Sequence, residues 1–124
     1  HAGLFSSAPA IVPFAQMFLN AGELNGERVF APDTVRRFTA RAHLVAGSSR
    51  ALGWDTPTAR SSCGSALSAA AHGHTGFTGT SLWIDPHRDF FVALLTNRVH
   101  PTRENPKLAA LRPRFHEALA KGLR

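Results

Sequence analysis

The chain is poor in several residue types that would otherwise define its chemistry. It contains no tyrosine, one cysteine at Cys63, and two lysines, Lys107 and Lys121. A single cysteine cannot form an internal disulfide, so packing must hold the fold together. No run of about 18 apolar residues is present, so the sequence predicts no transmembrane helix. No basic segment followed by an apolar stretch occurs at the start, and we therefore expect a soluble chain with no visible signal peptide.

Acidic residues are also scarce, since 8 Asp and Glu stand against 14 Lys and Arg and give a formal net charge of +6. The basic residues are spread along the chain, without a dense run interleaved with aromatics. We therefore interpret them as a solvated surface and expect no nucleic-acid partner and no membrane partner, while a preference for anionic ligands stays open. The apolar content is sufficient for one core, and residues 1–124 are expected to form a single domain.

Residues 71–97 have the clearest strand pattern in the sequence. Short alternating or apolar segments are interrupted by Gly76 and Gly79 at one point and by residues 85–89 at another. Glycine, proline and aspartate at such interruptions are typical of tight turns, so this region predicts three short strands. Residues 52–55 predict a further short strand.

Apolar residues at helical spacing flank this region on both sides. They predict a first helix capped by the serines at 6–7, a second beginning at Pro32, and a last one after Pro106. Proline inside a helix removes a backbone hydrogen bond, so we expect the first helix to begin late or to kink at Pro13. Together these elements predict an α+β fold in which a small antiparallel sheet of three to four strands packs with helices.

The segment His74-Thr75-Gly76 carries a family resemblance. Followed by a strand that ends in Asp85-Pro86 and then by an apolar strand, it resembles the third signature of the serine β-lactamase, penicillin-binding protein and esterase superfamily. Lys-Thr-Gly is usual there and His-Thr-Gly is a variant. Residues 1–7, 52–55 and 94–101 fit the class C-like branch of the same superfamily. The resemblance covers nearly all of the chain but only the C-terminal portion of the family's, and it implies a truncated β-lactamase-like fragment, intact or rearranged.

The catalytic serine of that family is not found in this sequence. The family's nucleophile is the serine of a Ser-x-x-Lys box, and neither Lys107 nor Lys121 follows a serine by three residues. The second signature needs tyrosine, which the chain lacks. We therefore expect no serine acyl-enzyme mechanism, and we carry over only a substrate-binding role for Thr75 and Gly76.

Two histidines direct attention to a metal instead. His72 and His74 lie two residues apart on a predicted strand, so their side chains share one face. His-x-His on a strand is a common way to present two ligands to zinc, and His1 is the preferred third because its segment approaches the active-site cleft in the family. The sequence therefore predicts a zinc ion bound by His1, His72 and His74. The alternative is that His74 only serves as the variant third signature, and His116 is expected to be a surface or hydrogen-bonded residue.

The predicted zinc site implies a hydrolase. Zinc bound by three neutral ligands lowers the pKa of its water to about 7. The resulting hydroxide would attack activated carboxylic or phosphate esters with broad specificity, with the backbone N–H groups of Gly76 and Gly79 as oxyanion donors. Two alternatives stay open. One is a catalytically inert fragment or accessory chain that needs the missing N-terminal part, and the other is a binding module without turnover.

The predicted strand over residues 90–96 raises the question of assembly. In the family, the strand that it resembles is flanked by strands that this sequence does not contain. Folded proteins avoid long, apolar, unpaired edges, so a second copy, a rearranged helix or the missing half supplied by another chain must cover this one. Pairing between two copies is the simplest of these, and we therefore expect a homodimer.

Overall fold

The computed structural model of the protein describes residues 3–123. Over this range the chain forms three helices and two small antiparallel sheets. In chain order the elements are α1 (Ala8–Leu19), β1 (Glu23–Leu24), β2 (Glu27–Arg28), α2 (Pro32–Thr39), β3 (His72–Thr75), β4 (Ser81–Asp85), β5 (Phe90–Leu94) and α3 (Lys107–Gly122). None of these helices is both long enough and apolar enough to cross a membrane.

Helix α1 begins earlier than the sequence predicts. Ser7 has an extended backbone at the N-cap, and Pro9 occupies the first turn, where its missing N–H costs nothing. The helix then runs through Pro13, which lies on the exposed side. The helix buries Ala15 and Met17. Burial of these side chains therefore outweighs the loss of one backbone hydrogen bond at Pro13.

The three-stranded sheet has the order β3-β4-β5, and helices lie on both of its faces. His72 pairs with Ile84, and Thr75 pairs with Ser81. Because cross-strand partners point to the same face, His72 and Ser81 project to opposite sides. Helix α1 lies on the His72 side, where the ring of Phe18 is 6.0 Å from the imidazole. Helix α3 lies on the Ser81 side, where His116 contacts the Ser81 hydroxyl.

The centre of the core is formed by β4. Trp83 and Ile84 are buried on opposite faces of the sheet. Gly73, directly opposite Trp83 on β3, leaves room for the indole, since a Cβ at this position would collide with it. The prediction of a small α+β fold with an antiparallel sheet is confirmed. The predicted strand at residues 52–55 is reduced to isolated bridges from Asp55 to Arg50 and to Gly73.

Asp85 fixes the long loop before β3 to the end of β4. This carboxylate is fully buried and accepts hydrogen bonds from the backbone N–H and the hydroxyl of Ser68, at 2.7 and 2.6 Å. The backbone N–H of His87 donates a third bond at 3.2 Å. Three donors compensate for the loss of hydration of a buried charge, so Asp85 is a structural residue.

Candidate functional site

Strand β3 presents free backbone groups at the outer edge of the sheet. Gly73 exchanges two backbone hydrogen bonds with Asp55, at 2.7 and 3.0 Å, on the side away from β4. Backbone groups alternate in direction along an antiparallel strand, so Thr75 directs its own N–H and C=O to this same side. Within residues 3–123, no backbone group pairs with Thr75 there. Thr75 therefore offers one donor and one acceptor to a ligand.

His74, Thr75 and Gly76 line two cavities, each with a volume of about 420 Å³. The first cavity lies toward the start of α1 and includes the serines at 6–7 in its wall. The second lies toward the N-terminal end of α3 and includes Arg50, Arg98 and Arg112. The end of β3 thus separates a largely neutral cavity from a cationic one.

The second cavity contains positive charge without a local counter-charge. No aspartate or glutamate lines it. The ion pairs found among the described residues involve Arg28, Arg36 and Lys121, none of which lines this cavity. The Nε of Arg112 is buried and has no hydrogen-bond partner in the described part of the chain. Burial and the nearby Arg98 lower the pKa of Arg112, so the cavity is suited to an anionic group.

His72 lies in the core, although it shares a face of β3 with His74 as predicted. Its imidazole is edge-on to Phe18 and to Trp54, with ring centroids 6.0 and 5.2 Å away. Its Nδ1 lies 3.5 Å from the carbonyl oxygen of Ala70. Burial lowers the pKa of His72, while the hydrogen bond to Ala70 opposes this effect. The ring lines neither of the two cavities at the end of β3.

The structure does not assemble the predicted zinc ligands. His1 lies outside the described residues, and His72 is enclosed by aromatic side chains. Between residues 3 and 123, no three His, Cys, Asp or Glu side chains are grouped so that they could hold a metal ion. Among the described side chains, His74 therefore lies beside the cavities without metal-binding neighbours.

The predicted oxyanion donors are already engaged within their own turn. The Gly76 N–H donates to the carbonyl oxygen of Thr80 at 2.8 Å, and the Gly79 N–H donates to that of Gly76 at 3.1 Å. Neither is free to bind a developing oxyanion. The backbone N–H groups of Thr75 and Phe77, on either side of Gly76, have no partner in the described part of the chain.

The sequence did not predict a buried hydrogen bond between Ser81 and His116. The Ser81 hydroxyl and the His116 Nε2 are 3.1 Å apart, and both residues are nearly inaccessible to solvent. Burial, and then the positive charge of Arg112, lower the pKa of His116 to about 4. His116 is therefore neutral near pH 7 and joins α3 to the sheet. Its position on an amphipathic helix was visible in the sequence, but its partner 35 residues away was not.

The chain is similar in sequence to known proteins of one family. The model of the family described as Beta-lactamase matches residues 1–115. A protein of Salmonella agona (strain SL483), provisionally named D-alanyl-D-alanine carboxypeptidase, is 37% identical over 115 residues, which are 87% of this chain and 25% of the relative. Proteins of Salmonella paratyphi B (strain ATCC BAA-1250 / SPB7) and Salmonella newport (strain SL254) carry the same name and are 36% identical over the same shares. The chain spans about a quarter of the length of these relatives.

These matches correct the predicted chemistry. The zinc-dependent hydrolase with a metal-bound hydroxide is wrong, and so are the zinc cofactor and the rejection of a serine mechanism. Within residues 3–123, His74 belongs to no group that could hold a metal ion, and His74-Thr75-Gly76 keeps its resemblance to the third signature of the family. The chain covers only a quarter of its relatives, so the absence of Ser-x-x-Lys and tyrosine from it does not exclude a serine mechanism for the family.

Proposed function

Because the chain belongs to the β-lactamase family, we propose that it forms the sheet-side wall of a serine hydrolase site that binds peptides ending in D-alanyl-D-alanine. The free edge of β3 at Thr75 carries this proposal. An extended peptide can add to such an edge as a further strand, and its backbone then pairs with the strand. Thr75 would donate its N–H to a carbonyl of the substrate and accept an N–H from it.

The cationic cavity would determine which way the bound peptide runs along β3. A peptide that ends in a free carboxylate has one negative charge at its terminus. Arg50, Arg98 and Arg112 line the cavity beside Thr75, where no acidic side chain competes for them. Charge-assisted hydrogen bonds to a carboxylate are stronger than neutral ones, so the C-terminus of the substrate would lie on this side.

We propose that the nucleophile comes from polypeptide outside these 124 residues. The family uses the serine of a Ser-x-x-Lys box, and this sequence contains none. The Ser81 hydroxyl, which is hydrogen-bonded to His116, is buried, and the pKa of about 4 makes this histidine a poor base. The chain by itself is therefore expected to bind substrate weakly and to be catalytically inert.

The outer edge of β5 is where we expect a partner chain to bind. No described strand pairs with it, and its residues Phe90–Leu94 carry no charge. We propose that two copies of the isolated chain pair there as a homodimer. An antiparallel pairing centred on Val92 would place Phe90 opposite Leu94 of the second copy and bring no like charges together. Polypeptide that carries the Ser-x-x-Lys box would compete for the same edge.

Reconstitution tests the proposed function. The chain would be coexpressed with the part of the Salmonella agona relative that lies outside the matched quarter, and release of D-alanine from N-acetyl-D-alanyl-D-alanine would be measured. We expect release from the mixture and none from the chain alone. Thr75→Pro removes the outward backbone N–H on which the proposal rests and should lower the rate about tenfold, the order expected for one lost hydrogen bond. Thr78→Val, in the exposed part of the turn, should not. Equal release by the chain alone would refute the proposal.

A further inference from the structure

Two arginines from other segments of the chain donate hydrogen bonds to the turn that follows β3. Residues 76–80 connect β3 to β4, and two of their carbonyl oxygens, those of Gly76 and Thr80, accept hydrogen bonds within the turn. The carbonyl groups of Phe77, Thr78 and Gly79 remain for hydrogen bonds with other segments or with water.

Arg98 binds two of these carbonyl groups. Its Nε donates to the carbonyl oxygen of Phe77 at 2.7 Å, and its backbone N–H donates to that of Thr78 at 2.8 Å. Its guanidinium carbon also lies 4.6 Å from the centroid of the Phe77 ring. Arg98 thus fixes the tip of the turn against the segment that follows β5.

Arg112, on α3, binds the other end of the turn. Its Nη2 donates to the carbonyl oxygen of Gly79 at 2.8 Å and lies 3.3 Å from that of Thr80. The Thr96 hydroxyl donates to the same Gly79 oxygen at 2.7 Å. Gly79 itself has φ +122°, a conformation open to glycine, so the helix can approach the backbone closely. We call Arg98 and Arg112 the arginine clamp.

Hydrogen bonding to these carbonyl groups does not by itself require arginine. Asparagine, serine or a backbone N–H could donate to the same oxygens without bringing two like charges together. Neither arginine forms an ion pair with a described carboxylate. Both line the cationic cavity together with His74 and Thr75. The positive charge is therefore kept next to the free edge of β3, where it can act on a ligand.

We propose that the arginine clamp positions the end of β3 for substrate, so that Thr75 and Gly76 are held rigidly beside the cation that faces the substrate carboxylate. Arg98 and Arg112 are positioning residues in this view. The inference rests on the proposed function for its substrate, but the rigidity of the turn can be measured without it. The clamp should affect substrate binding more than turnover, because it lies on the carboxylate side of the site.

The first test measures amide hydrogen exchange in the isolated chain. Arg112→Met removes the donor and keeps much of the side-chain length, and Arg114→Met is a matched control on the same helix with an exposed side chain. Loss of a charge-assisted bond should raise exchange at Gly76 and Gly79 about tenfold or more over the control. Arg112→Lys should restore part of the protection. Equal exchange in the two Met variants, or an equal rise in β4, would overturn the proposal.

The second test uses the reconstituted protein with N-acetyl-D-alanyl-D-alanine. Arg112→Met should raise KM about tenfold and change kcat little, while Arg114→Met changes neither. An unchanged KM would remove the role in substrate binding even if exchange at the turn had risen. If the wild-type mixture releases no D-alanine, the proposed function fails, and the exchange result still decides whether the clamp holds the turn.

Discussion

His116 should make the stability of the protein depend on pH in a predictable way. Its folded-state pKa is about 4, compared with 6.5 for the unperturbed side chain. Between these values the unfolded chain binds a proton at His116 that the folded chain does not bind, so acid favours unfolding. The difference corresponds to about 3 kcal/mol, fully present above pH 6.5 and lost progressively as the pH falls toward 4. Below pH 4 this residue should add no further dependence.

Urea unfolding followed by tryptophan fluorescence measures this effect, since Trp83 is buried in the core. The free energy of unfolding would be compared between wild type and His116→Gln from pH 7 to pH 4, so that contributions from other groups cancel. Wild type should lose about 3 kcal/mol more than the variant over this range. His87→Gln changes an exposed histidine and should follow wild type. Parallel curves for wild type and His116→Gln would refute a neutral, buried His116 and the docking of α3 through it.

Three further substitutions test other parts of the fold. Asp85→Asn weakens three hydrogen bonds to a buried carboxylate and should lower the free energy of unfolding by about 3 kcal/mol, whereas the exposed Asp89→Asn should cost little; equal urea midpoints would contradict this. Gly79→Ala would place a Cβ 2.7 Å from the Thr96 hydroxyl and should destabilise by about 2 kcal/mol, while Gly122→Ala, in open space, should not. Val92→Lys would oppose two charges across the proposed dimer axis and should give a monomer by light scattering; a monomeric wild type would exclude the dimer.

The sheet could be predicted from sequence because its determinants are local. Alternation within residues 71–97 and the turn residues between the segments specify strands β3, β4 and β5 without reference to the rest of the chain. The same alternation correctly placed His72 and His74 on one face. The turn between β1 and β2 follows the same local rule, since it consists of Asn25-Gly26, a pair typical of tight hairpin turns. The expected late start of α1 was wrong because burial of Ala15 and Met17, a tertiary effect, exceeds the local cost of proline.

The site was harder to predict because it depends on what packs against each face. Spacing shows that His72 points toward the His74 side, but only the folded chain shows that Phe18 and Trp54 cover it. The arginines were interpreted as a solvated surface, yet Arg98 and Arg112 bind the turn after β3 across 21 and 33 residues of chain. Long-range contacts of this kind leave no periodic pattern in a sequence.

An NMR titration of the isolated chain with N-acetyl-D-alanyl-D-alanine, followed by the backbone amide shifts, shows whether the β3 edge binds substrate. We expect weak, saturable binding with the largest shifts at Thr75 and Gly76, and a much weaker response to N-acetyl-L-alanyl-L-alanine. Shifts confined to other surfaces, or the same response to both peptides, would contradict the assignment of the β3 edge as the substrate-binding wall.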